Sequence, residues 1–130
     1  MQDAPTSGDP GSAQESPLAQ LSAAMVRLYK EQFGRGPDHA RSSWAGPDTL
    51  LCQLWHTLTP AERSLAEMGE HQRLSEARLV LAHATEDEFR RTVEAIFGRR
   101  VRALASGMDT REDMAVEVFV LEPAGADHPG

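Results

Sequence analysis

Apolar side chains recur along the chain at two different periods. From Leu18 they continue at Leu21, Met25, Val26, Leu28 and Phe33, the spacing of a helix with one buried face. Ser16-Pro17 supplies its start, a capping hydroxyl followed by a proline whose missing N–H is not needed in the first turn, and Gly34 supplies its stop. Residues 49–58 (TLLCQLWHTL) and 114–122 (MAVEVFVLE) read as strands, with weaker strand signals at 39–44 and 99–105. Ala45-Gly46-Pro47-Asp48 and residues 106–113 read as turns.

Thr59-Pro60-Ala61-Glu62 has the form of a capping box, so a helix is predicted from Pro60, with Leu65 and Met68 on its apolar face. Gly69 interrupts the pattern, and Leu74, Ala77, Leu81 and Ala84 resume it. Thr85 is read as the cap of a segment that buries Phe89, Val93, Ile96 and Phe97, and the spacing leaves open whether residues 71–97 form one helix or two.

The order helix, Phe-Gly-Arg, strand, turn, strand, Pro occurs twice. A shift of 64 carries Phe33-Gly34-Arg35 onto Phe97-Gly98-Arg99, Cys52 onto Val116 and Trp55 onto Phe119. The prediction is an α+β two-layer sandwich: an antiparallel four-stranded sheet with helices on one face, built from two αββ units joined by an extra helix. Residues 17–123 form this single domain, behind a disordered tail over 1–16 that is rich in Pro, Gly, Ser and Asp, and ahead of a frayed end over 124–130.

Period two sorts the strong strands into faces. With the 64-residue shift, Leu50, Cys52, Leu54, Met114, Val116, Val118 and Val120 should meet the helices. The opposite face then holds Leu51, Gln53, Trp55, Thr57, Ala115, Glu117, Phe119 and Leu121, too apolar for a surface that meets only water. Leu51, Gln53, Trp55, Glu117, Phe119 and Leu121 are accordingly the expected homodimer interface or, in the alternative reading, the ligand face of a small-molecule or anion sensor. On that face Glu117 is expected to pair with Arg102 or another strand arginine.

Composition narrows the function classes. The chain of 130 residues is 40% hydrophobic and 25% charged, and no apolar run reaches the roughly 18 to 20 residues of a membrane span, so direct membrane insertion is not expected. The N-terminal stretch carries neither basic residues nor an apolar core, which predicts a cytoplasmic protein. A net charge of −7 speaks against nonspecific nucleic-acid binding. Cys52, the single cysteine, lies in an apolar run and reads as a buried structural thiol. His39, His56, His71, His83 and His128 lack metal-ligand spacing, and no Ser-His-Asp or paired-carboxylate arrangement stands out; no metal, no cofactor and no catalytic residue is predicted.

FGRGPDHAR, residues 33–41, offers Arg35 and Arg41 as anion contacts. The stretch lies at the negative end of a helix, however, and Pro37 removes a donor, so it reads first as a helix stop leading into a strand. The cluster Arg99-Arg100-x-Arg102 reads as a solvated strand start.

The combination of LYKEQFGRGPDHAR (28–41), LTPAE (58–62), FGRRV (97–101) and AVEVFVLEP (115–123) resembles the MpsC-like domain family, over roughly residues 18–123. That family takes its name from a sodium-linked, membrane-potential-generating system associated with inorganic-carbon uptake. The resemblance implies a small soluble domain with a protein partner in such a membrane system, and it carries no catalytic residues onto this chain.

Overall fold

A computed structural model describes residues 16–123, so the expected end over 124–130 and all but the last residue of the expected tail lie outside the described residues. Ser16 caps α1 (Pro17–Phe33) by accepting the Ala19 N–H at 3.1 Å. The helix stops where Gly34 turns left-handed at φ 86° and returns its N–H to the Lys30 carbonyl. A hairpin of β1 (His39–Trp44) and β2 (Thr49–Trp55) comes next. The capping box at the start of α2 (Pro60–Glu67) is reciprocal: Glu62 accepts the Thr59 N–H at 2.9 Å, and Thr59 accepts the Glu62 N–H at 3.2 Å.

Residues 71–97 form two helices, α3 (His71–Ala84) and α4 (Glu86–Phe97). Thr85 does not cap α4 as expected. Its hydroxyl donates back to the Leu81 and Ala82 carbonyls and so closes α3. After Gly98, β3 (Val101–Asp109) and β4 (Met114–Leu121) make a second hairpin.

β3 starts two residues after the predicted 99 and β4 stops one before the predicted 122, and two strand ends differ by more. β2 ends at Trp55, before the predicted 58, because His56 takes a positive φ of 68° and the next residues are held by a turn aspartate: Asp113 accepts the Thr57 and Leu58 N–H groups on Oδ1 and the His56 N–H on its carbonyl. β3 runs through the predicted turn to Asp109, since Ser106 and Gly107 pair with Glu117 and Val116 of β4. Polar and glycine residues that look like a loop in isolation are strand here because the neighbouring strand pairs them.

The four strands are antiparallel in the order β1-β2-β4-β3, so the two hairpins meet through their second strands. With helices α1 and α4 packed over the sheet, the fold is α+β. The predicted repeat is visible in the joints. Gly34 and Gly98 both close their helices in the left-handed region, and the arginine after each ties down a carbonyl just past the second strand of its hairpin. Arg35 Nε donates to His56 O at 3.1 Å, and Arg99 Nε donates to Glu122 O at 3.0 Å.

One part of the repeat is corrected. β2 and β4 pair with Cys52 opposite Glu117 and Leu50 opposite Phe119, so Ala115, Glu117, Phe119 and Leu121 join Leu50, Cys52 and Leu54 in the core. Met114, Val116, Val118 and Val120 instead share the outer face with Leu51, Gln53 and Trp55. The 64-residue shift holds from Trp44 to Met108, but Trp44 pairs with Leu50 whereas Met108 pairs with Ala115, across residues 45–49 and 109–114 respectively. The second connection is one residue longer, and one residue exchanges every side chain between the faces of a strand.

Substitution separates the two parities directly. Phe119→Ala should cost about 3–5 kcal/mol in urea denaturation and Val118→Ala about 1 kcal/mol or less, because only Phe119 leaves a cavity in the core. The reverse order would restore the faces expected from the 64-residue shift.

Candidate functional site

Two surfaces have the chemistry to act. The first is the sheet face turned from the core. Its middle is Leu51, Trp55, Met114, Val116, Val118 and Val120, all partly exposed. At the β1 margin His39 and Arg41 stand opposite Trp55 and Gln53, and at the β3 margin Ala103, Ala105, Gly107 and Asp109 stand opposite Val120, Val118, Val116 and Met114. The face is thus apolar at the centre, basic along one margin, and small with one carboxylate along the other.

The second lies on the core side, where the register draws polar residues into a row. Ser42 on β1 pairs with Cys52 on β2, Cys52 with Glu117 on β4, and Glu117 with Ser106 on β3. Glu117 is only 1% exposed. Its Oε2 accepts the Tyr29 hydroxyl at 2.6 Å, and its Oε1 accepts the Ser106 hydroxyl. Burial pushes the carboxyl up to about 7, with the Ser106 and Tyr29 hydrogen bonds holding it from rising further. Burial, and then the charge of Glu117, raise the Tyr29 hydroxyl well above its ordinary value. Burial also pushes the Cys52 thiol up to about 11, against a hydrogen bond from Ser42, which leaves it a protonated core group and no nucleophile at neutral pH.

A pocket of about 140 Å³ opens beside Glu117, between α1, α3 and the β3–β4 hairpin. Tyr29 and Phe33 wall it on one side, Leu79, Ala82, Ser75 and Arg78 on another, and Ser106, Met108, Ala115 and Glu117 close the sheet end. Arg78, 5% exposed, has its charge taken up elsewhere. Nε and Nη2 donate to the two Glu62 carboxylate oxygens, both at 2.8 Å, Nη2 also donates to Thr57 O, and the guanidinium lies 4.2 Å from the Phe33 ring centre. Burial alone would raise the Glu62 carboxyl, but the Arg78 hydrogen bonds and charge and the Thr59 N–H hold it below its ordinary value. The residue that caps α2 therefore also anchors α3 over the pocket.

The six residues expected to form one surface fall into two groups. Leu51, Gln53 and Trp55 lie on the outer face, whereas Glu117, Phe119 and Leu121 point into the core. The predicted Arg102 partner of Glu117 is replaced by two hydroxyls, while Arg102 itself is exposed. Thr57, also assigned to the outer face, is fully buried in the turn after β2. Of the two expected anion contacts, Arg35 is engaged by His56 O and Asp38, and Arg41 stands exposed on the outer face. Sequence pattern does not single out Tyr29, Ser106 or Arg78; Tyr29 stands outside the stripe read for the first helix, Ser106 falls in a predicted turn, and only the register brings Ser106 to Glu117.

Comparison with protein families finds a match over residues 14–123 to the family described as the Na+-translocating membrane potential-generating system (MpsC). The chain belongs to the MpsC family. Comparison with curated proteins and with solved structures finds no match. No helix among the described residues of this MpsC chain is long and apolar enough to cross a membrane, and none of their His, Cys, Asp and Glu side chains cluster as a metal site would.

The raised carboxyl makes stability pH-dependent with a fixed sign. Folded Glu117 binds its proton more tightly than the unfolded chain does, so its contribution is full below the ordinary carboxyl range and is lost as pH rises through about 7. Between about pH 4.5 and 7 the wild type should lose roughly 3 kcal/mol relative to Glu117→Gln, an order-of-magnitude figure from the size of the shift. Urea denaturation of both proteins across that range checks it, and parallel profiles would show that Glu117 titrates in the folded chain as it does in the unfolded one.

Proposed function

We propose that this MpsC domain is a non-enzymatic, cytoplasmic interaction or regulatory domain of a membrane-potential-generating system, and that it works as a homodimer joined through the outer sheet face. The observation that carries the reading is the contiguous centre of that face, Leu51, Trp55, Met114, Val116, Val118 and Val120, on a sheet whose other side alone supplies the core. Family membership supplies the link to the membrane system, which the domain serves by docking on a protein partner in it.

The margins favour a second copy as the occupant. A two-fold axis parallel to the strands lays β1 of one copy over β3 of the other. His39 and Arg41 then approach the margin that bears Asp109 of the second copy, and Ala103, Ala105 and Gly107 leave room for the larger β1 side chains. The sensor reading loses its expected site, since Glu117 is on the far side of the sheet from Gln53 and Trp55.

Sedimentation velocity on the full chain at micromolar concentration is expected to give a dimer, and Val118→Asp a folded monomer, because a charge at the middle of a face-to-face sheet contact is desolvated without a partner. Arg41→Glu should weaken the dimer and Arg41→Glu with Asp109→Arg restore it. A wild type that stays monomeric up to hundreds of micromolar overturns the dimer.

A further inference from the structure

On the opposite side of the sheet, we infer that the pocket beside Glu117 is a binding site for a small organic monocation, a primary ammonium on an apolar body of about the size of one aromatic ring. The inference is independent of the dimer.

Charge supplies the first argument. Glu117 lies at the wall of a cavity, yet its two hydrogen-bond donors, Tyr29 and Ser106, are neutral hydroxyls. The groups that face it from the packed elements are Tyr29 from α1, Cys52 from β2, Ser106 from β3 and Arg78 from α3. Arg78 is the single cation among them, and it is bound on both Nε and Nη2 by the Glu62 carboxylate. A buried carboxylate without a counter-charge is costly, and a ligand ammonium supplies that charge while using the lone pairs the hydroxyls leave free. An anionic ligand would face the same carboxylate.

Shape supplies the second. A cavity of about 150 Å³ accommodates one benzene, and this pocket measures about 140 Å³. Tyr29 and Phe33 present aromatic rings 4.8 Å apart, with Leu79, Ala82, Met108 and Ala115 completing an apolar sleeve. The Arg78 guanidinium already covers one face of Phe33 and Tyr29 stacks on Phe89, so the rings act as apolar walls for the ligand body and Glu117 partners its charge.

The internal repeat supplies the third, because it shows where the space comes from. Trp44 of β1 in the first unit packs edge-on against Phe97 of α4 in the second at 5.5 Å. The repeat-related pair is Met108 of β3 and Phe33 of α1, and both line the pocket. A smaller residue stands where the indole would be, Glu117 stands where Cys52 would be, and the connecting helix α3 roofs the gap with Ser75, Leu79 and Ala82. The repeat-related joint that departs from its counterpart is the one that holds both the cavity and the buried carboxyl.

Calorimetry and thermal unfolding of the full chain at pH 8, with benzylamine, benzyl alcohol and benzoate as probes, test this. Benzylamine should bind and raise the unfolding temperature, with the neutral and anionic analogues at least about thirtyfold weaker, the ratio expected for an unmatched buried charge. Glu117→Gln should lose benzylamine affinity by a similar factor while keeping benzyl alcohol binding. Ala82→Phe, which fills the pocket from α3, should abolish all three. No binding of benzylamine at roughly 10 mM or below, equal binding of alcohol or benzoate, or unchanged benzylamine binding by the glutamine variant would each overturn the inference.

Discussion

The antiparallel pairing of β2 with β4, with Cys52 opposite Glu117, governs the rest of the structure. It joins two hairpins that would each be marginal alone into one sheet, and it decides which side chains of both inner strands the helices cover. A slip by one residue would bring Val116 and Val118 inward and expel Phe119 and Glu117. The pattern of β4 does not forbid that slip, since both of its faces are largely apolar. What selects the observed register is the fit of Phe119 and Leu121 into the core cluster with Leu21, Met25 and Leu50, together with the hydroxyls of Tyr29 and Ser106 waiting for a carboxylate. The polar contact therefore specifies the sheet even though burying it costs stability.

The second anchor is the bond between Arg78 and Glu62. It spans α3 and the first turn of α2, and through Nη2 it also fixes the Thr57 carbonyl in the turn after β2. Beyond it, His71 at the start of α3 hydrogen-bonds Thr110 at 2.7 Å and Arg63 of α2 lies 3.8 Å from Asp113, but apolar anchoring is sparse: α2 buries no residue fully, and α3 buries only Leu74 and Arg78 while leaving Leu79, Val80 and Leu81 exposed. A helix held by a few side chains can shift more cheaply than one with a continuous apolar face. α3 also forms one wall of the pocket, so a helix with little core contact borders the cavity.

Most local signals are legible in the sequence, Thr85 being an exception, and non-local ones are not. The Ser16 and Thr59 caps and the glycine stops at Gly34 and Gly98 are written within a few residues of where they act, and each stands where the sequence puts it. The order of elements and the α+β class derive from them. Parity of β4 depends on a single extra residue in the second hairpin connection, and no property of the strand itself announces that residue. The same applies to the candidate site. Glu117 stands out in the sequence as a carboxylate in an apolar strand, but its partners come from α1 and β3, 88 and 11 residues away, so its neighbours can be read only from the register. Arg35 shows the converse: its chemistry suggests an anion contact, and its position after a helix stop gives it a structural task, which its twin Arg99 repeats at the other joint.

The repeat also explains why the two surfaces lie back to back. Two αββ units meeting through their inner strands generate a sheet with one covered and one uncovered face, and related units would leave the covered side evenly filled. The connecting segment 60–84 has no counterpart in the repeat, and it lies over one half only, beside β3. That asymmetry is the origin of the cavity, whereas the outer face keeps the near symmetry of the strands. Anything that altered the twist or register between β2 and β4 would be felt on both sides at once, because Gln53 and Val116 of the outer face alternate with Cys52 and Glu117 of the inner one along the same two strands. A ligand beside Glu117 and a partner on Val116 and Val118 would therefore act on the same pair of strands, and coupling between them would run through a change in the twist or register of that pair.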